Sequence, residues 1–350
     1  MTTLAAPAQL VTGGVDTHLD THVAAALDPL GAVLGTMSFP TTTTGYRKLL
    51  TWLRSFGDLG RVGVEGTGSY GVALSRHLTS QGVQVIEVAR PNRQVRRRYG
   101  KTDVVDAIAA ARAVMSGEAS ATPKSHDGAV EALRALKVLL RSVNKSRRQA
   151  ENQLHNLIVT APEGLRADLR NMPRSKLLAT CAAFRIAADD DSLAGTTRFA
   201  LRDLAQRALE LDSRHAAIRT RMSRLTAITA PQLLAITGVG PDVASTLLLT
   251  AGDNPERLGN ERAFAALCGV SPIPASSGKT QRHRLNRGGD RQANAALWRI
   301  VVVRLGTDQR TKDYMAKRIS EGKSKKETMR CLKRYVAREV FAALPREALI

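Results

Sequence analysis

Cysteines and aromatic residues are scarce in this 350-residue chain, and it has no long apolar segment. The three cysteines, Cys181, Cys268 and Cys331, are far apart and form no CxxC pair, which disfavours a disulfide framework and a structural zinc site. Two Trp, five Tyr and six Phe are too few for a single-strand binder built on rows of stacking platforms. No stretch approaches the roughly 18 uninterrupted apolar residues of a membrane span, and the first residues lack the features of a signal peptide. We therefore expect a cytoplasmic protein with no membrane partner.

Excess positive charge is the strongest feature of the composition. The chain has 52 Lys and Arg against 31 Asp and Glu, a formal net charge of +21, and a pI near 10.7. The segment 270–350 alone holds 19 basic residues against seven acidic ones. Cations spread over several elements indicate a nucleic-acid-binding surface whose affinity falls with salt. A solubilising surface or a disordered basic tail is the alternative.

Two basic clusters precede that segment and could also contact phosphates. One comprises Arg93, Arg96, Arg97, Arg98 and Lys101, and the other Arg134, Lys137, Arg141, Lys145 and Arg148.

Residues from about 12 to 116 alternate between strand and helix patterns. The β-prone runs VTGGVDTH, THVAAALD and GAVLGTMSF predict a three-stranded antiparallel opening. A helix (TTGYRKLLTWLRSF), a strand (RVGVEG), a helix (SYGVALSRHLTSQG), a strand (VQVIEV) and a helix (TDVVDAIAAARAVMSG) follow. The order βββ-α-β-α-β-α is that of the α/β ribonuclease H-like fold.

Four carboxylates are placed where this fold would bring them together. Asp16 ends the first predicted strand and Glu65 the fourth, while Asp103 and Asp106 share one face of the last helix. Like charges at a sheet edge repel unless a cation neutralises them, and carboxylate oxygens suit Mg²⁺ or Mn²⁺. Two such ions about 4 Å apart can stabilise both oxygens of a phosphoryl displacement. Taken singly, Asp16 fits a turn residue and Asp103 a helix N-terminal carboxylate, but the joint spacing predicts a metal site.

The segment VEGTGSYG allows a second interpretation. A strand followed by Gly-Thr-Gly also occurs in the nucleotide loop of actin-like ATPases, which share this core topology. The glycines could equally let the backbone pass close to the carboxylates. An ATPase would not explain the charge of +21 and would need a second, duplicated domain.

From Asp127 to about Val159 the apolar residues follow a heptad spacing of three and four. The seam contains Leu133, Leu136, Leu140, Val143, Ala150, Leu154 and Leu157. It predicts a coiled coil that mediates self-association, a helical hairpin, or a long helix packed on its own domain. Residues 160–230 are helical in pattern and carry no recognisable chemistry.

Two further features lie near the C-terminus. In LLAITGVGPDVASTLLLTAG, the turn at Gly238 and Gly240 between two helical stretches is typical of a helix-hairpin-helix, which presents backbone N–H groups to phosphates; packing alone is the alternative. SPIPASSGKT predicts an exposed loop; Lys279 lies near its end, and the cations Arg282, Arg284 and Arg287 follow it. A serine there could attack a phosphodiester, since cations stabilise the developing charge, although the loop by itself is better explained as a plain turn.

The chain resembles the insertion-sequence transposases of the one-ten (IS110) family. Five segments carry the resemblance in this order: GVDTH, VEGTGSYG, ARPNRQVRRRYGKTDVVDA, ITGVGPDVASTLL and CGVSPIPASSGKTQRHRLNRGGDRQAN. It covers nearly the whole chain. It implies a RuvC-like domain over residues 10–120 that binds Mg²⁺ or Mn²⁺, a helical coiled-coil region over 127–228, and a mainly α transposase domain over 229–350 that contains a helix-hairpin-helix.

The resemblance also assigns roles to residues and partners. Asp16, Glu65, Asp103 and Asp106 match the four acidic catalytic positions, and Ser277, directly before Gly278, matches the nucleophile. Ser276 is the alternative within the serine pair. The resemblance further implies a homo-oligomer, either a dimer or a tetramer. It also implies a guide, which is a structured RNA from the element's own end that pairs with donor and target DNA. Cleavage is expected to leave a phosphoserine link to the DNA.

Two other classes of function remain open. A stand-alone RuvC-like junction endonuclease would hydrolyse DNA with metals only, and a catalytically silent protein would only bind nucleic acid. A protein–DNA adduct separates recombination from the first, and metal-dependent strand scission excludes the second.

Overall fold

The structure is a computed structural model that describes residues 9–89, 102–126, 128–254, 258–277 and 283–345. The chain divides into two units, one of Met1–Gly128 with Ala251–Gly259 and one of Ala129–Thr250 with Asn260–Ile350. Among the helices in the described ranges, none has both the length and the apolar content that a membrane crossing requires.

The first unit contains a mixed five-stranded sheet with the strand order β3-β2-β1-β4-β5. Strands β1, β2 and β3 pair antiparallel, whereas β1 pairs with β4, and β4 with β5, in parallel. The elements are β1 (Leu10–Thr17), β2 (Thr21–Leu27), β3 (Val33–Pro40), α1 (Thr43–Arg54), β4 (Asp58–Glu65), α2 (Val72–Ser80), β5 (Gln84–Val88) and α3 (Asp103–Met115). Within the described residues the elements follow the predicted order βββ-α-β-α-β-α, and the architecture is compatible with a ribonuclease H-like fold.

Helices cover both faces of the sheet. One face packs against α1 and α2, with Leu49, Leu53 and Leu74 fully buried there. The other packs against α3 through Ala107 and Ala111 opposite β2, and through Ala110 and Val114 opposite β5. The small side chains on α3 allow this helix to lie close to the strands.

Two glycines make that close approach possible. A Cβ on Gly14 of β1 would overlap the Ala107 oxygen and the Ala111 nitrogen, and would lie 2.8 Å from the Ala111 Cβ. A Cβ on Gly63 of β4 would lie 2.7 Å from the Ala110 oxygen. Helix α3 therefore rests directly on the backbone of the two central strands.

The second unit is mostly helical. Its elements are α4 (Ala129–Thr160), α5 (Glu163–Leu169), α6 (Arg174–Ala182), α7 (Leu193–Thr229), α8 (Pro231–Leu234), α9 (Pro241–Ala251), α10 (Glu261–Leu267), the two-residue strands β6 (Ile273–Pro274) and β7 (His283–Arg284), α11 (Arg291–Thr307), α12 (Gln309–Ser320) and α13 (Lys325–Ala343).

The heptad seam of α4 is covered by α7 of the same chain. Leu140 and Val143 pack against the later part of α7, at Leu211, Ile218 and Met222. The later seam residues Ala150 and Leu154 pack against its earlier part, at Leu201, Ala205 and Ala208. The two helices are therefore antiparallel, as in the predicted hairpin, and a coiled coil between protomers stays a prediction.

The glycine turn at 238–240 joins the four-residue helix α8 to α9. Gly238 has φ +88°, a left-handed conformation that favours glycine. Because only the second helix is long, the helix-hairpin-helix also stays a prediction.

Candidate functional site

Asp16 and Glu65 lie at the carboxyl ends of the neighbouring parallel strands β1 and β4. Val15 is opposite Val64 in the strand register, so Asp16 and Glu65, each one residue further along, lie side by side at the strand ends. Gly14 and Gly63 face α3, and side chains two residues apart share a face of a sheet. Both acidic side chains therefore lie on the α3 side, and both are buried.

A hydrogen bond fixes the two strand ends relative to each other. The Thr17 hydroxyl, on the opposite face of β1 from Asp16, donates to the Glu65 carbonyl oxygen at 2.7 Å. The tight turn after Glu65 follows at once, and Ser69 N donates to the Gly66 carbonyl oxygen at 2.9 Å. The glycine-containing segment thus has a backbone role beside the acidic residues.

Asp103 and Asp106 occupy the first turn of α3. The Thr102 hydroxyl caps this helix by accepting from Val105 N at 3.3 Å. The positive end of the helix dipole stabilises acidic side chains at this position. Asp106 is buried, while the Asp103 side chain is 50% exposed. The two carboxylates thus differ in their access to water.

His18 lies between two of these carboxylates. Its Nε2 is 3.1 Å from Asp16 Oδ2 and 3.2 Å from Asp103 Oδ1. The ligand atoms of Asp16, His18 and Asp103 all lie within 4.8 Å of one another, which qualifies them to hold a metal ion. Of the predicted acidic residues, the structure brings Asp16 and Asp103 into this group, and it adds His18, which the sequence reasoning missed. The Asp-x-His spacing at a strand end is the signal that could have found it.

The electrostatics of Asp16 are unfavourable without a neighbouring cation. Burial raises the pKa of Asp16, and the charges of Asp106 and Asp103 raise it further, whereas His18 lowers it by its charge and its hydrogen bond. Because the charge of Asp106 raises the pKa of Asp16, its carboxyl group lies close enough to interact with Asp16. It is not one of the three grouped ligands Asp16, His18 and Asp103. A buried carboxylate surrounded by like charges is the arrangement that a divalent cation relieves.

The donor atoms fit a divalent metal. Carboxylate oxygens are ligands for Mg²⁺ and Mn²⁺, and an imidazole nitrogen suits transition metals better than Mg²⁺. Asp16, Asp103 and His18 would hold the ion directly, with Glu65 and Asp106 adding negative charge close by.

The predicted nucleophile lies in the second unit, just after β6. Ser276 and Ser277 are both exposed. Strand β6 pairs antiparallel with β7, with Ile273 opposite Arg284 and Pro274 opposite His283. Both serines thus lie on the β6 side of a short hairpin, three residues or fewer beyond Pro274, the last paired residue of β6. We call β6, β7 and the chain between them the serine hairpin.

Two family models match the chain. A transposase model of the DEDD class for IS110 elements matches residues 13–161, and a model described as transposase IS116/IS110/IS902 family matches residues 230–316. Together they cover more than half of the 350 residues. The chain belongs to the IS110 transposase family. No curated protein matches it.

The two matched segments contain every predicted site residue of this transposase. The first spans β1 to α4 and includes the four acidic residues, and the second includes the glycine turn at 238–240 and the serine hairpin. Helices α5 to α7 fall between them. Family membership indicates an enzyme that cuts and rejoins DNA and therefore binds it.

The predicted nucleic-acid contacts are only partly described by the structure. Gly240, Arg284 and Arg287 are exposed, and Gly238 is half-buried. Arg93, Arg96, Arg97, Arg98, Lys101, Lys279 and Arg282 lie outside the described residues.

Proposed function

We propose that this transposase cuts and rejoins DNA with Ser277 as nucleophile and with Asp16, Glu65, Asp103 and Asp106 as the acidic residues of a divalent metal site. The observation that carries the metal site is the grouping of Asp16, His18 and Asp103 within 4.8 Å. Family membership supplies the reaction class. The serine assignment is supported by the resemblance of the SSG motif and by the exposure of Ser276 and Ser277.

In the proposed cleavage, the Ser277 hydroxyl loses its proton and its oxygen forms a bond to a DNA phosphorus. The bond from that phosphorus to one deoxyribose oxygen breaks, and this oxygen takes up a proton. The products are a strand end linked to serine and a free hydroxyl end. Rejoining reverses these steps with a hydroxyl from another strand, so no high-energy cofactor is consumed.

The residues of the chain divide this work. Ser277 supplies the nucleophilic oxygen, and the exposed Arg284 and Arg287 carry positive charge beside the hairpin that holds it. Asp16 and Asp103 would hold the ion, with His18 as a third ligand. A bound divalent ion supplies charge stabilisation at phosphate oxygens.

The partners follow from charge and from the family resemblance. Double-stranded donor and target DNA and a structured guide RNA encoded by the element are the proposed nucleic acids. The net charge of +21 supports binding of such polyanions. The exposed turn at Gly240 is a proposed contact to the phosphate backbone.

We include self-association, as a dimer or tetramer, in the proposal. Because α7 covers the seam of α4, contacts between protomers along α4 would use its outer face. Val138 and Leu139 are 54% and 49% exposed there, which leaves apolar surface for a partner.

The test is a cleavage assay with the full chain, the element-derived RNA and DNA that contains an element junction. We expect Asp16→Asn and Ser277→Ala each to abolish cleavage while DNA binding is retained, and chelator to abolish cleavage by the wild type. Asp20→Asn, an exposed carboxylate in the turn after β1, is the matched control and should remain active.

The alternatives give different results in the same assay. Metal-dependent products with free ends and no protein adduct would identify a junction endonuclease. Binding without scission of any kind would identify a nucleic-acid-binding protein without catalysis.

A further inference from the structure

The chain segments that lead into and out of the serine hairpin meet in a backbone-to-backbone contact. The turn Cys268–Gly269 follows α10, and the turn Gly288–Gly289 precedes α11. Asp290 N donates to the Leu267 carbonyl oxygen at 2.7 Å. A Cβ on Gly269 would overlap the Gly288 oxygen, and a Cβ on Gly289 would lie 2.5 Å from Gly269 N. Gly269 and Gly289 have positive φ, +64° and +83°, so the contact requires glycine at both positions.

Asn294, in the first turn of α11, ties this contact to the helix. Its Nδ2 donates to the carbonyl oxygens of Cys268 at 3.0 Å and Gly269 at 3.1 Å. Its Oδ1 accepts from Lys333 Nζ of α13 at 2.8 Å. Since an ammonium group can only donate, Lys333 fixes the amide with its oxygen towards α13 and its NH₂ group towards the turn.

Lys333 is an unusual residue for this position. It is 8% exposed, and its partner, Asn294, is uncharged. Burial, together with the charge of Arg330, lowers the pKa of Lys333. Placing a charge there is costly, whereas an apolar side chain of similar length would fill the space at less cost.

We propose that Asn294 and Lys333 are positioning residues for the serine hairpin, holding its base so that Ser277 is presented to DNA in one orientation. The inference rests on the proposed role of Ser277. The pair contacts only the turn at the base of the hairpin and acts on the reaction through the backbone that leads to the serine. Misplacement of a reacting group by about 1 Å can cost on the order of a hundredfold in rate.

Apolar side chains of the three helices are buried independently of the pair. They include Phe264 of α10, Leu297 of α11 and Val336 of α13. Loss of the amide hydrogen bonds should therefore loosen the base of the hairpin and leave the three helices packed.

The test variant is Asn294→Asp, which keeps the shape of the side chain. Its carboxylate still accepts from Lys333 but directs an oxygen at two carbonyl oxygens in place of the donating NH₂ group. The matched control is Gln292→Glu, an exposed amide two residues earlier on α11. Lys333→Met is the second variant, with Lys326→Met, exposed on α13, as its control.

Four quantities are measured on the full chain: hydrogen exchange, adduct formation, DNA affinity and the unfolding midpoint. Hydrogen exchange of the amides in 270–277 and 288–290, followed by mass spectrometry without DNA, reports the order of the hairpin base. Single-turnover adduct formation at saturating DNA, with DNA affinity measured separately, reports the presentation of the serine. We expect exchange to accelerate within 270–277 and at Asp290 N, and adduct formation to slow on the order of tenfold to a hundredfold, with DNA affinity and the unfolding midpoint close to the control values.

The possible failures are distinguishable. Unchanged exchange in both variants overturns the inference whatever the chemistry. Faster exchange with an unchanged rate, while Ser277→Ala is inactive, also overturns it. An adduct that still forms in Ser277→Ala removes the proposed nucleophile, and the role of the pair in presenting it is then wrong as well, although faster exchange would still locate the contact that orders the hairpin base.

Discussion

Gly14→Ala should push α3 away from the sheet and weaken metal binding, although none of the candidate metal ligands is replaced. The added Cβ would lie 2.8 Å from the Ala111 Cβ and would overlap backbone atoms of Ala107 and Ala111. Carbon atoms pack best at about 3.5–4.0 Å, so α3 has to retreat by about 1 Å. Asp103 moves with α3, whereas Asp16 and His18 stay with β1.

The energetic cost can be bounded. Overpacking of a well-packed core costs about 1–3 kcal/mol. The lower entropy of alanine in the unfolded chain offsets about 0.4–1 kcal/mol of this. We expect the free energy of unfolding to fall by roughly 1 kcal/mol, and by no more than about 2.6 kcal/mol.

The assay combines urea unfolding with Mn²⁺ binding followed by electron paramagnetic resonance. Gly164→Ala is the control, because a Cβ at this position in α5 meets nothing within 4 Å. It should leave Mn²⁺ affinity unchanged. If Gly14→Ala matches the wild type in both stability and Mn²⁺ affinity, the close contact of β1 with α3 does not hold the site together.

Three further expectations address single side chains. Because the pKa of Asp16 is raised in the folded protein, the wild type in chelator should lose stability relative to Asp16→Asn as pH rises from the ordinary carboxyl range towards neutrality. In more acidic solution the two proteins should be equally stable. Parallel profiles of urea stability against pH would refute the raised pKa. His18→Ala should weaken Mn²⁺ binding by at least about tenfold in titration calorimetry, since even residues that only hydrogen-bond to a metal ligand contribute that much; an unchanged affinity would remove His18 from the site. Leu154→Ala empties a buried position between α4 and α7 and should cost about 2–5 kcal/mol of unfolding free energy, with the same oligomer in sedimentation; dissociation without loss of stability would instead place the seam between protomers.

The order of elements in the first unit was predictable because its signals are local. Turn residues, apolar alternation and helical spacing each act over a few positions, and together they predict the strands that carry Asp16 and Glu65. The placement of Asp16 beside Glu65 also followed, once the fold was assigned, from the parallel pairing of β1 with β4.

Contacts that depend on distant segments were not predictable in the same way. The spacing of Asp16 and His18 is local, but the approach of Asp103 to His18 requires α3 to rest on Gly14. The seam of α4 predicted a covered stripe without specifying that α7 covers it. Asn294 and Lys333 are 39 residues apart on different helices, and no periodic pattern links them.

Mapping the covalent adduct tests the central claim most directly. The full chain is incubated with guide RNA, DNA and Mn²⁺, the trapped complex is digested, and the modified peptide is located by mass spectrometry in the wild type and in Ser276→Ala. We expect a nucleotide remnant on Ser277 in both proteins. A remnant on Ser276 in the wild type, or cleaved DNA with free ends and no modified peptide, would contradict it.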